Sequence, residues 1–474
     1  VSLLQHPHRA RRHRDHPRKP RRGAAVLTGA AVVLGALGPA AEAARAESPA
    51  LPDDGLFGEA DPQYDGVWRQ SVALLAQDTV GYTPAGQAVD WLLGQQCDDG
   101  AFLSYRADPG QPCADVTAAD TNATALAVQA LTALDGHEDA ADAGLSWLTG
   151  VQNEDGGWSY NPGGASDANS TALVIGAFAA AGRDPGEVRR ADSSPYDALA
   201  AFQLGCDAPM DDQRGAFAWQ PDQESGDLYA SDLATVDAVL ASYGRGLLVD
   251  PDVPETPVAP LDCEAGGGEG EEGEEGGETP EDTAGAEDTA GAEDTAGAAD
   301  EPSDATHPQP ENEESATAGA AYLAGTLDEG GNHLTSTPAG GEEQPDYLAT
   351  ARAVVALAAA GHGDAASGAL AWLVEHHGEW PDFAASPTAV GTLVMAAHAG
   401  GVSPEEFGGT DLMARLNELG PDPHEAPGEG GGDAADDGDG GLSALWVIGI
   451  GLAFGALIGV TLVLWRSRAK AGRA

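Results

Sequence analysis

Four cysteines, a group of histidines and several paired carboxylates are the side chains of this sequence that could bind metal, form disulfides or move protons. Cys97, Cys113, Cys206 and Cys263 form no Cys-x-x-Cys pair and have no suitably spaced His, so zinc is disfavoured and disulfides are the expected use. Four cysteines allow three pairings. A short Gly/Pro-rich loop separates Cys97 from Cys113; bridging it contributes about 3 kcal/mol through loop-closure entropy and leaves Cys206 for Cys263. His362, His376, His377 and His398 fall within one helix pair and offer imidazoles to a metal or a cobalt-bearing ligand, against the plainer reading of exposed or capping histidines. The turns Asp98-Asp99-Gly100 and Asn153-Glu154-Asp155-Gly156 carry oxygen ligands suited to Ca²⁺ but lack the full loop spacing, and a plain acidic turn accounts for both. Asp98-Asp99 and Asp211-Asp212 are the acid pairs nearest to a general acid. Asn122-Ala123-Thr124 and Asn169-Ser170-Thr171 match the glycosylation acceptor, yet they recur in register at helix starts, where capping explains them. No catalytic residue and no metal site follow from these groups.

The elements that must position them are repeats. ADTNATALAVQAL (119–131), SDANSTALVIGAF (166–178), ASDLATVDAVLAS (230–242), PDYLATARAVVAL (345–357) and SPTAVGTLVMAA (386–397) are versions of one segment, a capped Ala-rich helix with apolar residues at i, i+3, i+4 and i+7. Asp120, Asp167 and Asp346 share one position, four residues before Thr124, Thr171 and Thr350, and read as N-caps along one rim. Gly136, Gly182, Gly244, Gly361 and Gly400 are placed to end these helices in the left-handed region. A second segment alternates with the first at 90–102, 146–158, 197–209, 321–333 and 371–380, each a helix running into a Gly-rich or acidic turn. Helices at 66–77 and 404–418 are left over and are expected to form a sixth pair that closes a ring. A helix pair cannot bury its apolar face alone, so stacked pairs make the core; an open α-solenoid is the alternative to a ring.

The run Trp147-Leu148-x-x-x-Gln152-x-x-Asp155-Gly156-Gly157-Trp158 resembles the QW-type repeat of terpenoid cyclases and protein prenyltransferase β subunits. That resemblance implies an all-α fold, an α/α toroid (α6/α6 barrel), in which the Gln amide and the aromatic ring brace successive helices. Gln96 and Phe102 keep the Gln-to-aromatic spacing, with Trp91 at the place of Trp147; Gln203 keeps the Gln, and Trp372 the Trp. Leu327 with His333, and His377 with Trp380, are the drifted versions. The family's chemistry does not carry over. There is no Asp-x-Asp-Asp acid in the repeats, no Asp two residues before any Cys, and Cys206 is followed by Asp207 rather than by a Gly-Glu-Gln thioester run. The same toroid is used by cobalamin carriers, which makes a cobalamin-like ligand the family-based expectation, with no cofactor identified from the residues themselves.

The charge distribution excludes nucleic acid: the chain sets 22 Lys+Arg against 77 Asp+Glu, a net charge of −55. Eight basic residues precede position 23, one is Arg45 and four follow Trp465; residues 47–465 hold nine Arg, no Lys and 75 acids. Residues 1–46 read as a signal peptide and 442–465 as an uncharged transmembrane helix, followed by the basic cytoplasmic tail 466–474. Between them are expected an N-terminal linker (47–65), the first half of the toroid (66–263), a disordered acidic low-complexity insert (264–315), the second half (316–420) and an acidic Gly-rich stalk (421–441). The resulting expectation is a single-pass cell-surface protein whose non-catalytic ectodomain binds a small hydrophobic or cobalamin-like ligand, or a partner such as a membrane transporter. A cyclase or prenyltransferase with an unrecognised site and a purely structural module are the alternatives.

Overall fold

A computed structural model describes residues 55–113, 118–249, 251, 253–263, 310–338 and 341–425. The Ala-rich repeat segments form α3 (Thr121–Ala133), α5 (Ala168–Ala180), α7 (Asp232–Ser242), α9 (Tyr347–Ala359) and α11 (Pro387–Ala399), joined by α1 (Gly66–Thr79). Each of these six packs on the next, and α11 packs on α1, so the row closes on itself. The second segments form α2 (Gly86–Gln95), α4 (Glu138–Gly150), α6 (Pro195–Ala200), α8 (Pro310–Glu329), α10 (Gly363–His376) and α12 (Leu412–Asn417), each lying against the helix before it.

Burial separates the two sets as their sequences require. In α3 every residue from Ala123 to Leu131 is buried, and small side chains let neighbouring helices approach on several sides. In α4 only Ala141, Gly144, Leu145 and Leu148 are buried, the single stripe of an outer helix. Five of the six inner helices share one start, α1 being the exception: Asp120, Asp167 and Asp346 accept the backbone N–H of Ala123, Ser170 and Ala349 at 2.8–2.9 Å, and the hydroxyls of Ser231 and Ser386 do the same for Ala234 and Ala389. Each such cap is worth about 0.5–2 kcal/mol. Gly136, Gly182, Gly244 and Gly361 end their helices at positive φ. At α11 it is Gly401 (φ 68°) that does so, because Gly400 (φ −89°) is still the C-cap residue.

Several expected boundaries move. The leftover helices do not pair with each other: α1 is inner and pairs with α2, α12 is outer and pairs with α11, and α1 against α11 closes the ring. Helix α8 begins at Pro310, inside the stretch 264–315 that composition assigned to the spacer, because carboxylates such as Glu313 and Glu314 are favourable near a helix N-terminus. Leu56 and Phe57, placed in a linker, are buried to 5% and 0% exposure. Past residue 420, β4 (His424–Glu425) pairs antiparallel with β1 (Tyr82–Thr83), and β2 (Thr335–Ser336) pairs with β3 (Gln344–Pro345). Both disulfides form, Cys97–Cys113 and Cys206–Cys263. Among the described residues no helix is long and apolar enough to cross a membrane; the expected signal, most of the acidic insert, and the span 442–465 with its basic tail lie outside those residues.

Candidate functional site

A repeated hydrogen-bond brace fixes where each inner helix begins. The Gln96 amide donates to Gly100 O (3.1 Å) in its own turn and to Ala140 O (2.8 Å) in α4; Gln152 bonds Gly156 O and Val188 O, and Gln203 bonds Gly215 O and Ser315 O. After each turn a fully buried ring, Phe102, Trp158 or Phe217, donates its backbone N–H to Thr124, Thr171 or Thr235 Oγ1 at 2.9–3.0 Å. The backbone carbonyl of the same residue accepts the N–H of the next helix's cap, Asp120, Asp167 or Ser231. In the fourth repeat Leu334, not His333, holds this place, bonding Thr350 Oγ1. In the fifth the buried Phe383, not Trp380, follows His377 by six residues and keeps only the second bond: its carbonyl accepts the Ser386 N–H, while its own N–H turns back to Trp380 O, and Val390 stands where the other repeats have Thr.

The sixth repeat is split across the chain. Phe57 N–H donates to Gln70 Oε1 (2.8 Å), while the Gln70 amide reaches Gly55 O (3.1 Å) and Ala88 O (2.8 Å). One Gln on α1 thus serves both as the threonine and as the glutamine of the brace, and Gly58 N–H donates to Leu419 O to join the end of the ring to its beginning. Of the Trp residues, Trp91 stacks on Tyr105, Trp147 packs by the Cys97–Cys113 bridge, and Trp372 stacks with His333 (4.4 Å) and His376 (4.8 Å) and meets Tyr347 at a tilt (5.0 Å).

Inside the ring, Arg352 of α9 pairs with Asp237 of α7, and Asn169 of α5 donates to the same carboxylate at 2.7 Å. The Arg352 guanidinium also lies over Trp68 of α1, 5.9 Å from its centroid. Since α9 and α1 are not neighbours, this contact crosses the lumen. Burial pushes the Asp237 carboxyl up, against the opposing pull of Arg352 and the Asn169 hydrogen bond. The far end is closed by residues 245–247: Leu247 N–H donates to Gln129 Oε1, and Gly176 and Gly246 let that loop lie against α5. The cavity among Gln129, Leu173, Asp237, Leu247 and Arg352 is about 10 Å³, room for about one water.

The opposite end, where the inner helices start, is aromatic. Tyr64 and Trp68 flank the start of α1, Tyr160 O accepts the first N–H of α3, and Trp219 O accepts the first N–H of α5. Tyr229 precedes the cap of α7, and Tyr347 opens α9 and stacks on Trp380. Tyr64, Tyr160, Trp219, Tyr229 and Leu233 are 43–80% exposed and all sit at this end; Met210 is the remaining large exposed apolar side chain among the described residues. A cavity of about 430 Å³ opens there, lined by Ser336, Gln344, Tyr347, Glu379 and Trp380 among others.

The groups singled out from sequence do not converge. Asp98, Asp99, Asp211 and Asp212 are exposed, and Asp211 pairs with Arg214. Asp155 accepts from Gly157 N–H and Ser166 Oγ, as a turn residue does. His362 is buried with Nδ1 on Thr256 O and Nε2 on Tyr243 OH, and His377 uses Val374 O and Thr410 Oγ1. Among the described residues no three His, Cys, Asp or Glu side chains group as metal ligands.

No family model matches the chain, and no curated protein is significantly similar to it. Solved structures do align. An ent-copalyl diphosphate synthase from Streptomyces platensis matches at 15% identity and TM-score 0.40, covering 71% of this chain and 50% of that one, so the chain spans about half of that protein's length. A protein from Actinoplanes matches at 14% identity and TM-score 0.40, covering 74% of this chain and 95% of that one.

Proposed function

We propose that this chain is a membrane-anchored, extracytoplasmic α/α toroid that captures a small-molecule ligand on the aromatic face where its inner helices begin, without turning it over. The observation that carries the reading is the contrast between the two ends of the ring. Among Gln129, Leu173, Asp237, Leu247 and Arg352 the inner helices and residues 245–247 leave a cavity of only about 10 Å³, while five exposed apolar side chains gather at the other end. Small-molecule sites commonly occupy about 300–1,000 Å³, so that cavity is too small for a substrate, while a ligand has a surface outside. The uncharged run 442–465 supports the anchor, and the QW-type resemblance supports a cobalamin-like ligand handed to a membrane transporter. The residues do not fit ligation of cobalt by the buried histidines: His362 and His377 have both ring nitrogens engaged. A corrin would have to lie on the face.

Native mass spectrometry of the full chain in detergent, with and without added hydroxocobalamin, tests capture; a retained small molecule lost in Tyr160→Ala is the expected result. Incubation with squalene or geranylgeranyl diphosphate and Mg²⁺ is expected to return both unchanged. Protein-dependent product would overturn the reading.

A further inference from the structure

We infer that the aromatic face is a saccharide-binding surface that takes an uncharged glycan chain; this rests on the ligand-capture reading above and names its ligand class. Trp219 and Tyr229 are 55% and 60% exposed, and Tyr160 is 47% exposed, each held at an inner-helix start. An aromatic ring held rigidly in water presents an apolar plane at small entropic cost, and the C–H face of a pyranose is the complementary plane on a molecule otherwise covered in hydroxyls.

Polar groups beside the rings hold them in place. Ser104 Oγ donates to Asp120 Oδ2 and lies 3.4 Å from Tyr160 OH, the Asn161 amide donates to Ala119 O, and the Gln220 amide next to Trp219 donates to Ala165 O and Ser166 O. Tyr160 is thereby held at its hydroxyl, and the Trp219 side chain hydrogen-bonds to Asp167, before any ligand arrives.

Charge selects among ligands with apolar planes. Asp120 and Asp167 beside the rings are 5% and 3% exposed and committed to their helix caps, and in the exposed loop between Trp219 and Tyr229 Asp222 accepts the N–H groups of Glu224 and Ser225. Arg69 and Arg352 are committed to Asp65 and Asp237, residues 47–465 hold no Lys, and an anionic polymer meets a strongly negative chain. A neutral polyol meets no such repulsion, and a polylysine control tests the exposed Glu224 and Asp227 against it. Aromatic side chains also recur from one helix start to the next around the ring, an arrangement suited to successive sugar units rather than to a single one. The 430 Å³ cavity by Tyr347 and Trp380, with Ser336, Gln344 and Glu379 as hydrogen-bonding neighbours, adds a recess in the size range of small-molecule sites.

The test uses the full chain in detergent on a neutral oligosaccharide array and on immobilised dextran, mannan and chitin, with heparin and polylysine as charged controls. Retention on a neutral glycan is expected, weakened tenfold or more by Trp219→Ala and by Tyr229→Ala and largely kept by Trp219→Phe. All variants should share the parent's unfolding midpoint, since these side chains are on the surface. No neutral glycan bound, binding unchanged in both alanine variants, or preference for polylysine or heparin would overturn the inference. Native mass spectrometry of the same preparation separates the two failures: a retained small molecule without glycan binding removes only the saccharide assignment, and neither one present removes the capture reading as well.

Discussion

Asn332→Gly and Gly368→Ala, made singly and together, test how successive repeats lock. Gly55, Gly100, Gly156 and Gly215 each stand two residues before the buried aromatic, at φ of 85–97°. A Cβ added there would stand 2.2–2.5 Å from the main-chain carbonyl of Gln87, Ala143, Ser194 or Ala318, in the following outer helix or, for Ser194, at its N-cap. In the fourth repeat the position is Asn332, at φ 70°, and the room comes from the other side: a Cβ on Gly368 of α10 would stand 2.3 Å from Asn332 Oδ1. In the parent chain Gly368→Ala gains about 1 kcal/mol of helix propensity and loses about 1–3 kcal/mol to overpacking, so it is neutral to destabilising. With Asn332→Gly the obstacle is gone and the same change is expected to stabilise by about 1 kcal/mol. Urea unfolding of the four proteins gives the coupling energy, expected at about 1–3 kcal/mol. If Gly368→Ala stabilises equally in both backgrounds, with coupling below about 0.5 kcal/mol, the proposed exchange of roles is wrong.

Gln70→Ala strands the Phe57 N–H and removes the Gln70 bond to the Gly55 carbonyl in a buried site, at about 1–3 kcal/mol for each group left unmet, while Ala88 O keeps its place in α2. It is expected to cost about 3 kcal/mol or more and to lower hydrogen-exchange protection first in α1; a loss under about 1 kcal/mol would refute the split repeat. In a ¹³C carboxyl titration, Asp167, Asp232 and Asp237 are expected above the usual 3.8, chiefly from burial, and Asp197 below it, held by the Ser194 backbone N–H and hydroxyl. The stability Asp197 contributes is present above pH 3.8 and lost as pH falls through its lowered value, whereas the unfavourable contribution of the other three is relieved as pH falls through their raised values. An Asp237 carboxyl titrating at or below 3.8 would contradict the assigned burial.

The inner helices were legible because cap, Ala-rich run and terminal Gly recur in register, as at Asp120 to Gly136 and Asp346 to Gly361. The brace was legible only where it is contiguous. Gln203 is parted from Phe217 by the loop carrying Cys206, and Phe57 is parted from α12, the outer helix before it in the ring, by almost the whole chain, with Gln70 on α1 taking the place of the missing glutamine. Gly two residues ahead of an aromatic links Phe57, Phe102, Trp158 and Phe217, and a search on that pair would have recovered both. The lumen pair of Asp237 and Arg352 had no such signal: nothing local marks which face of α7 and α9 turns inward, since ring closure decides it.

The proposed capture, as against catalysis, draws more support from the close packing around Asp237 and Arg352 than from the lack of an acid motif. Inner helices rich in Ala approach closely, and Val72, Leu126, Leu173 and Thr392 are buried at the same repeat register as Asp237 and Arg352. To admit a substrate, these side chains and residues 245–247 would have to withdraw. At roughly 24 cal/mol per Å³, a void of about 300 Å³ costs on the order of 7 kcal/mol. A domain has only about 5–15 kcal/mol of net stability to set against that. Opening the lumen would therefore take much of the stability of the fold, whereas binding on the face requires no void at all, and the exposed rings of Tyr160, Trp219 and Tyr229 are already in place there.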